Sequence, residues 1–363
     1  MPETDWAELI RQVDKSGMWN LLLSVPEDLR RAYEIADRLE IPERLKLGEI
    51  SIKYGEPSNV VIAGMGGSAI GGDLAREYFY DRAQIPIRVV RWFKAPGYAG
   101  ENTLAVVSSY SGKTEETISA MEELIAKRCM VVLITSDGFL EEYAEKTGLP
   151  IVKIPKGRPP RTAIAYLYTS LLVVLDKFGV KGFDKREFEE AVEVLEEMRR
   201  ELLEEGSAAL QARGLARKIM GKIPLIYSYP PYYSVAFRFK TQLNENAKIH
   251  AFSAQIPEMF HNEIMGWEGV QTANFYSIIL RGREESERLE IRIDFLKEVL
   301  ESVEVPYEEV WGRGEGRLAN QLSLLYIADM TSYFLALLRG IDPTPVAMIS
   351  KLKKRIGDKY STK

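Results

Sequence analysis

Residues 59–73 read NVVIAGMGGSAIGGD and residues 104–117 read LAVVSSYSGKTEET. Each begins as a short apolar run, stops at glycines or serines, and passes into a stretch of helical spacing. The same alternation continues around them. Strands are expected at 59–63, 87–91, 104–108, 130–135 and 151–154, with helices at 72–80, 114–127 and 140–147. Parallel strands need crossover connections, so this alternation implies an α/β fold with a doubly wound parallel sheet covered on both faces. The ligand of such a sheet belongs at the C-terminal ends of its strands.

Upstream, residues 1–50 carry helical apolar spacing, with Leu9, Ile10, Val13 and Met18, then Leu29, Tyr33, Ala36 and Leu39. Downstream, Thr162–Leu175 is apolar almost all round and is expected to be a buried helix. Residues 184–205 follow as an amphipathic helix with Phe188, Val192, Leu195, Met198 and Leu202 on one face. It is expected to connect two domains. A second alternating region places strands at 225–228, 249–252, 275–280 and 305–310, the last confined by Pro306 to the start or edge of a strand. Helices are expected at 233–246, 257–265, 284–301 and 318–338. Residues 343–356 form a closing helix, with proline at its start and cations at its end as the helix dipole prefers. A length of 363 residues favours two domains, at roughly 100–200 residues each, and two α/β units of similar size imply a duplicated architecture.

Composition narrows the function classes. With 48 Lys and Arg against 53 Asp and Glu, the net charge of −5 argues against a nucleic-acid partner, which would favour a basic excess. The longest uncharged stretch, residues 57–72, is glycine-rich and short of a membrane span, and the start of the chain has no apolar signal-peptide core. A cytoplasmic protein without a membrane partner is expected. Cys129 is the only cysteine, and the only histidines, His250 and His261, are too far apart for an HExxH or His-x-His pair. No metal site is expected.

Two loops can carry chemistry. In the first, Gly64 to Asp73, glycines let backbone N–H groups approach a ligand at a helix N-terminus. Gly64-x-Gly66-x-x-Ala69 also fits the loose dinucleotide fingerprint, but the acidic residue required after the next strand is replaced by Arg91-Trp92-Phe93. An NADP reading and a purely structural turn both stay open there. In the second loop, Gly112-Lys113-Thr114 resembles the end of a nucleotide P-loop, yet Val107 stands where that motif needs glycine. Ser109, Ser111 and Thr114 offer uncharged donors at a helix start, which suits a phosphate monoester. An ordinary N-cap accounts for one of these hydroxyls, not for three. Arg161, after Pro159-Pro160, is either an oxyanion or phosphate partner or a surface arginine. Glu245, flanked by Asn244 and Asn246, is either a base or a solvated helix end. Each histidine is a candidate acid or base, and position favours neither.

Taken together and in order, GMGGSAIGGD, SSYSGKTEET, PPR, QLNENAK, PEMFHNE and TPVAMISKLK resemble the bifunctional phosphoglucose/phosphomannose isomerases of archaeal type. These belong to the phosphoglucose isomerase superfamily and contain two sugar-isomerase (SIS) domains. The resemblance runs from about Asn59 to the C-terminus. It implies SIS domains at 51–183 and 207–340 with a C-terminal helix at 341–363, while the N-terminal helical extension at 1–50 and the connecting helix at 184–206, read from apolar spacing, lie outside it. It implies sugar-phosphate binding by Gly67, Ser68, Ser109, Ser111 and Thr114, with Glu245 as the base moving a proton between C1 and C2 and Arg161 stabilising the enediolate. It further implies His261 and Lys351 in ring opening, Thr344 beside C2–C3, and a homodimer in which His261 reaches the neighbouring subunit's site. No cofactor is implied, because aldose–ketose isomerisation needs a base and an electrophilic stabiliser but no redox partner. The rival readings are a non-catalytic SIS sugar-phosphate sensor, which would need no base, and an NADP oxidoreductase.

Overall fold

The computed structural model describes residues 4–269 and 274–360. Three helices open it, α1 (Trp6–Val13), α2 (Met18–Leu23) and α3 (Val25–Asp37), followed by an antiparallel hairpin of β1 (Arg44–Leu47) and β2 (Ile50–Lys53). The hairpin departs from the wholly helical reading of residues 1–50. It turns at Gly48, whose positive φ suits the first central position of a two-residue hairpin loop.

The first α/β region comprises β3 (Asn59–Ala63), α4 (Gly66–Tyr78), β4 (Ile87–Val90), β5 (Thr103–Ser108), α5 (Glu115–Ala126), β6 (Met130–Thr135), α6 (Phe139–Thr147) and β7 (Ile151–Lys153). The strands form one parallel sheet in the order β4-β3-β5-β6-β7. Alternate residues face opposite cores. Val60, Ile62, Leu104, Val106, Met130 and Val132 pack with Ile70 and Leu74 of α4, whereas Val61, Ala63, Ala105, Val107 and Val131 pack with Met121, Leu124 and Leu140. Burial on both faces is why these strands read as continuous apolar runs.

A 3₁₀ turn at Pro160–Ala163 leads into α7 (Ile164–Lys177), then α8 (Lys185–Leu203) and α9 (Ser207–Lys218). The second region holds β8 (Ile223–Ser228), α10 (Tyr233–Glu245), β9 (Phe252–Gln255), β10 (Phe275–Arg281), α11 (Glu287–Ser302), β11 (Tyr307–Trp311) and α12 (Arg317–Leu338), and α13 (Ala347–Tyr360) closes the chain. Its parallel sheet runs β11-β10-β8-β9. In both sheets, therefore, the first strand of the region lies between the second and third. Two expectations shift here. The strand read at 249–252 lies at the edge as β9, and the helix read at 257–265 is two 3₁₀ turns, Glu258–His261 and Glu263–Glu268. Among the described residues, α12 alone is long and apolar enough to cross a membrane, and the apolar window is 94% buried inside the fold, as befits a central packing helix.

Candidate active site

In a sheet ordered this way the chain leaves β3 and β5 in opposite directions, and a crevice opens between the loops that follow them. The two loops meet there. Ser68, in the first turn of α4, accepts the backbone N–H of Tyr110 at 3.2 Å. Ser109 and Thr114 place their hydroxyls 3.0 Å apart. Thr114 holds the N-cap position of α5, yet its side chain makes no cap hydrogen bond. The capping explanation therefore does not account for it, and among the described residues no side chain caps the first N–H groups of α5. Ser111 Oγ accepts the N–H of Lys113 at 3.4 Å.

The loop's shape is enforced from beneath. Gly112 has φ +63°, and a Cβ there would lie 1.8 Å from the Asp137 carbonyl oxygen. Ser136 Oγ donates to the Tyr110 carbonyl at 2.6 Å, and the Tyr110 hydroxyl accepts the N–H of Arg158 at 3.1 Å. Arg158 is in turn paired at 2.6 Å with Asp28 of α3, so the N-terminal helices brace the approach to Arg161.

Arg161 is not a surface residue. It is 4% exposed and sits in the 3₁₀ turn before α7. Its Nε donates to Asn246 Oδ1 at 2.7 Å, and Nη2 donates to the carbonyls of Pro343 (2.7 Å) and Thr344 (2.9 Å). Nη1 lies 3.5 Å from Glu245 Oε2. Burial pulls the Arg161 pKa down, and the Glu245 charge opposes that shift. The backbone around Gly67 is tight, since a Cβ there would lie 3.2 Å from the Pro160 carbonyl oxygen. The hydroxyl loops and the arginine thus share one wall.

Glu245 is the last residue of α10, with its side chain 30% exposed. It lines two cavities. One, of about 220 Å³, is shared with Gly66, Gly67, Arg91, Arg161 and Thr241. The other, of about 750 Å³, is bounded by Lys248, His250, Asp342 and residues 345–349. Thr344 Oγ1 is buried without a hydrogen-bond partner among the described residues. Lys248 Nζ donates to the carbonyls of Glu245 and Pro345, tying the segment before α13 to the end of α10. Its pKa is lowered by burial and by the nearby Arg161 charge.

Ser68, Ser109 and Thr114 are thus brought together, as are Arg161, Glu245 and Thr344. His261 and Lys351 are not. Both are exposed, and neither lines either cavity. Within one chain it is His250 that shares a cavity with Glu245. Sequence reasoning passed over Asn246, Arg158 and Arg238, for which no local pattern separates a buried partner from a solvated side chain. Among the described residues no group of three or more His, Cys, Asp or Glu is placed to hold a metal ion.

Two parallel sheets of this order, with a hydroxyl-lined loop at the first crevice and a carboxylate beside a buried arginine, agree with the sugar-isomerase (SIS) class that the family match shows. Residues 209–356 match the bacterial phospho-glucose isomerase C-terminal SIS domain. The bifunctional phosphoglucose/phosphomannose isomerase of Caldicellulosiruptor bescii is 36% identical over 94% of this chain and 99% of its own length. That of Aquifex aeolicus is 36% identical over 82% and 90%. The crystal structure of a glucose-6-phosphate isomerase-like protein from Thermus thermophilus shares the fold, with a TM-score of 0.60 at 20% identity over 98% and 99% of the two chains. The chain belongs to the bifunctional phosphoglucose/phosphomannose isomerase family.

Proposed function

We propose that this protein is a cytoplasmic aldose–ketose isomerase that interconverts glucose 6-phosphate or mannose 6-phosphate with fructose 6-phosphate through a cis-enediol. The observation that carries this reading is the Glu245–Arg161 pair, 3.5 Å apart, lining a cavity whose wall includes the loop that bears Ser68. A sugar-phosphate sensor needs the loop but has no use for the pair. The phosphate group is anchored by Ser109, Ser111, Thr114 and the start of α5, which holds the reacting carbons at a fixed distance from it. Glu245 takes the proton from C2 of the aldose or C1 of the ketose and returns it to the other carbon. Arg161 stabilises the oxygen that gains charge as the enediolate forms. No electron leaves the substrate, so no redox partner is involved.

Glucose 6-phosphate and mannose 6-phosphate differ only at C2, and both give the same enediol. One base serves both if the intermediate can turn about C2–C3, which the small Thr344 permits. We infer a homodimer with shared sites, in which His261 serves the neighbouring chain. Its absence from both cavities of its own chain supports this. The test is an assay of fructose 6-phosphate, with both aldose phosphates measured as products, in wild type and in Thr344→Gln. Both products are expected from wild type, with the mannose product suppressed more than the glucose product in the variant. No aldose phosphate from wild type would refute the reading.

A further inference from the structure

Arg161 is held almost wholly by neutral groups. Among the described residues, three of its four partners, the Asn246 amide and the carbonyls of Pro343 and Thr344, carry no charge, and the one carboxylate, Glu245, stands beyond ordinary hydrogen-bond distance for such a pair. The other buried carboxylate nearby, Asp329, is engaged elsewhere. Arg238 donates to it through Nε at 3.1 Å and Nη2 at 2.7 Å, and the same Nη2 donates to the Arg161 carbonyl at 2.9 Å.

Asn246 is fully buried, and its orientation is dictated on both sides. The Arg161 Nε–H can only donate, so the amide oxygen must face it. The amide nitrogen donates to Ser332 Oγ at 2.9 Å, and Ser332 spends its one proton on the Asp329 carbonyl at 2.7 Å. The chain of donors therefore runs one way, from Arg161 through Asn246 and Ser332 into α12. Asn246 also follows Glu245 directly, so the same turn at the end of α10 places the base and clamps the arginine.

This neutrality matters on the reading proposed above. When Glu245 takes the carbon-bound proton it loses its charge, at the moment the substrate oxygen gains one. The guanidinium then exchanges one counter-charge for another, and its attraction is concentrated in the enediolate state. A permanent carboxylate at the Nε position would partner the guanidinium in both states and erase that difference, and only differential interactions lower the barrier.

We propose that Asn246 is a positioning residue for the isomerisation: it fixes the Arg161 guanidinium beside Glu245 while leaving its charge for the enediolate.

The test compares Asn246→Asp, Asn246→Ala and Ser332→Ala with wild type. Asn246→Asp keeps the shape and should lower kcat by about 10²-fold, the scale of losing an oxyanion partner, with KM for fructose 6-phosphate within about threefold. Affinity for a planar sugar-phosphate hydroxamate, which mimics the enediolate, should fall in step with kcat, whereas inhibition by inorganic phosphate should not change. Asn246→Ala and Ser332→Ala should show the same split at roughly tenfold and a few-fold, and either one reads the proposal if the aspartate variant does not fold. A role in stability alone would lower the melting temperature and leave kcat per folded molecule and hydroxamate affinity intact. That outcome, or an Asn246→Asp variant within twofold of wild-type kcat, overturns the proposal. A wild type without isomerase activity overturns the functional reading beneath it instead.

Discussion

Gly112→Ala probes the hydroxyl loop at the point where the structure allows least. An L-residue at φ +63° costs about 1 kcal/mol in backbone strain. The added Cβ would also lie 1.8 Å from the Asp137 carbonyl oxygen and 2.9 Å from its carbon. Real Cβ atoms do not approach backbone within about 3 Å, so one of the two segments must move by more than about 1 Å. Neither is free to. The Gly112 N–H donates to the Ser109 carbonyl at 3.1 Å, the Gly112 carbonyl accepts from Leu140 at 3.2 Å, and the Asp137 carbonyl accepts from Thr135 Oγ1 at 2.9 Å. Movement is therefore passed to Ser109, Ser111 and Thr114. The expected loss is about 2–4 kcal/mol of stability, from strain plus overpacking. On the proposed reading, KM for fructose 6-phosphate should rise by roughly 10- to 100-fold, since displacements of this size cost that much in positioned reactions. Gly17→Ala is the control, because it shares the left-handed backbone at φ +73° with nothing within 4 Å. It should lose about 1 kcal/mol and leave KM alone. Chemical denaturation and steady-state kinetics measure both. The reasoning fails if Gly112→Ala is no less stable than Gly17→Ala and its KM stays within twofold of wild type.

Glu245→Gln keeps the shape of the proposed base but cannot take a proton, so kcat should fall by about 10²–10⁴ with inorganic phosphate inhibition unchanged; near-normal turnover would remove it from the mechanism. Ser111→Ala and Thr114→Ala should each raise KM by the equivalent of about 0.5–1.5 kcal/mol, and a double variant that inorganic phosphate inhibits as strongly as wild type would place the anchor elsewhere. Mixed Glu245→Gln and His261→Asn subunits should recover activity that neither has alone, and no recovery after subunit exchange would show that His261 does not serve a neighbour's site. Burial lifts the Glu77 carboxyl to about 7, so folding takes up a proton there and that contribution is lost as the pH rises from about 4.5 through 7. Glu77→Gln should therefore exceed wild type by up to about 3 kcal/mol above pH 7 and match it below pH 4.5, as denaturation across pH would record.

Much of this fold is visible in the sequence because parallel strands buried on both faces leave uninterrupted apolar runs, and the loops that end them are marked by glycine and serine. The misread elements have weaker signals. In β1 and β2, Leu45, Leu47, Ile50 and Ile52 alternate with polar residues over only four residues each, which a helical neighbourhood obscures. The strand β9 lies at an edge with Phe252 55% exposed, so its apolar residues do not mark its limits. Arg161 shows the larger difficulty. Whether an arginine beside two prolines is buried depends on Asn246 and residues 343–344, which lie far along the chain and come near only when the fold is complete. Hydroxyls at a helix start carry their meaning locally, and a buried charge does not.

The two sheets share one strand order but differ in the side chains at their crevices, and the proposed base comes from the second region. In the first sheet the loops after β3 and β5 present glycines and short hydroxyls, and they meet where Ser68 Oγ accepts the Tyr110 N–H at 3.2 Å. In the second, the loops after β8 and β10 close on each other. A Cβ on Gly282 would lie 2.3 Å from the Tyr232 ring, and the Tyr229 hydroxyl accepts the Gly282 N–H at 2.9 Å while donating to Glu285 at 2.8 Å. The helix that leaves this closed crevice is α10, capped at its start by Glu77 of α4, which accepts the Ser234 N–H at 2.9 Å. Its opposite end delivers Glu245 and Asn246 to Arg161. Thus α4, which carries Ser68 in its first turn, also anchors the root of the helix that bears Glu245. On the proposed reading, a base held on a helix anchored at both ends keeps its distance to the substrate carbons more closely than one on a loop.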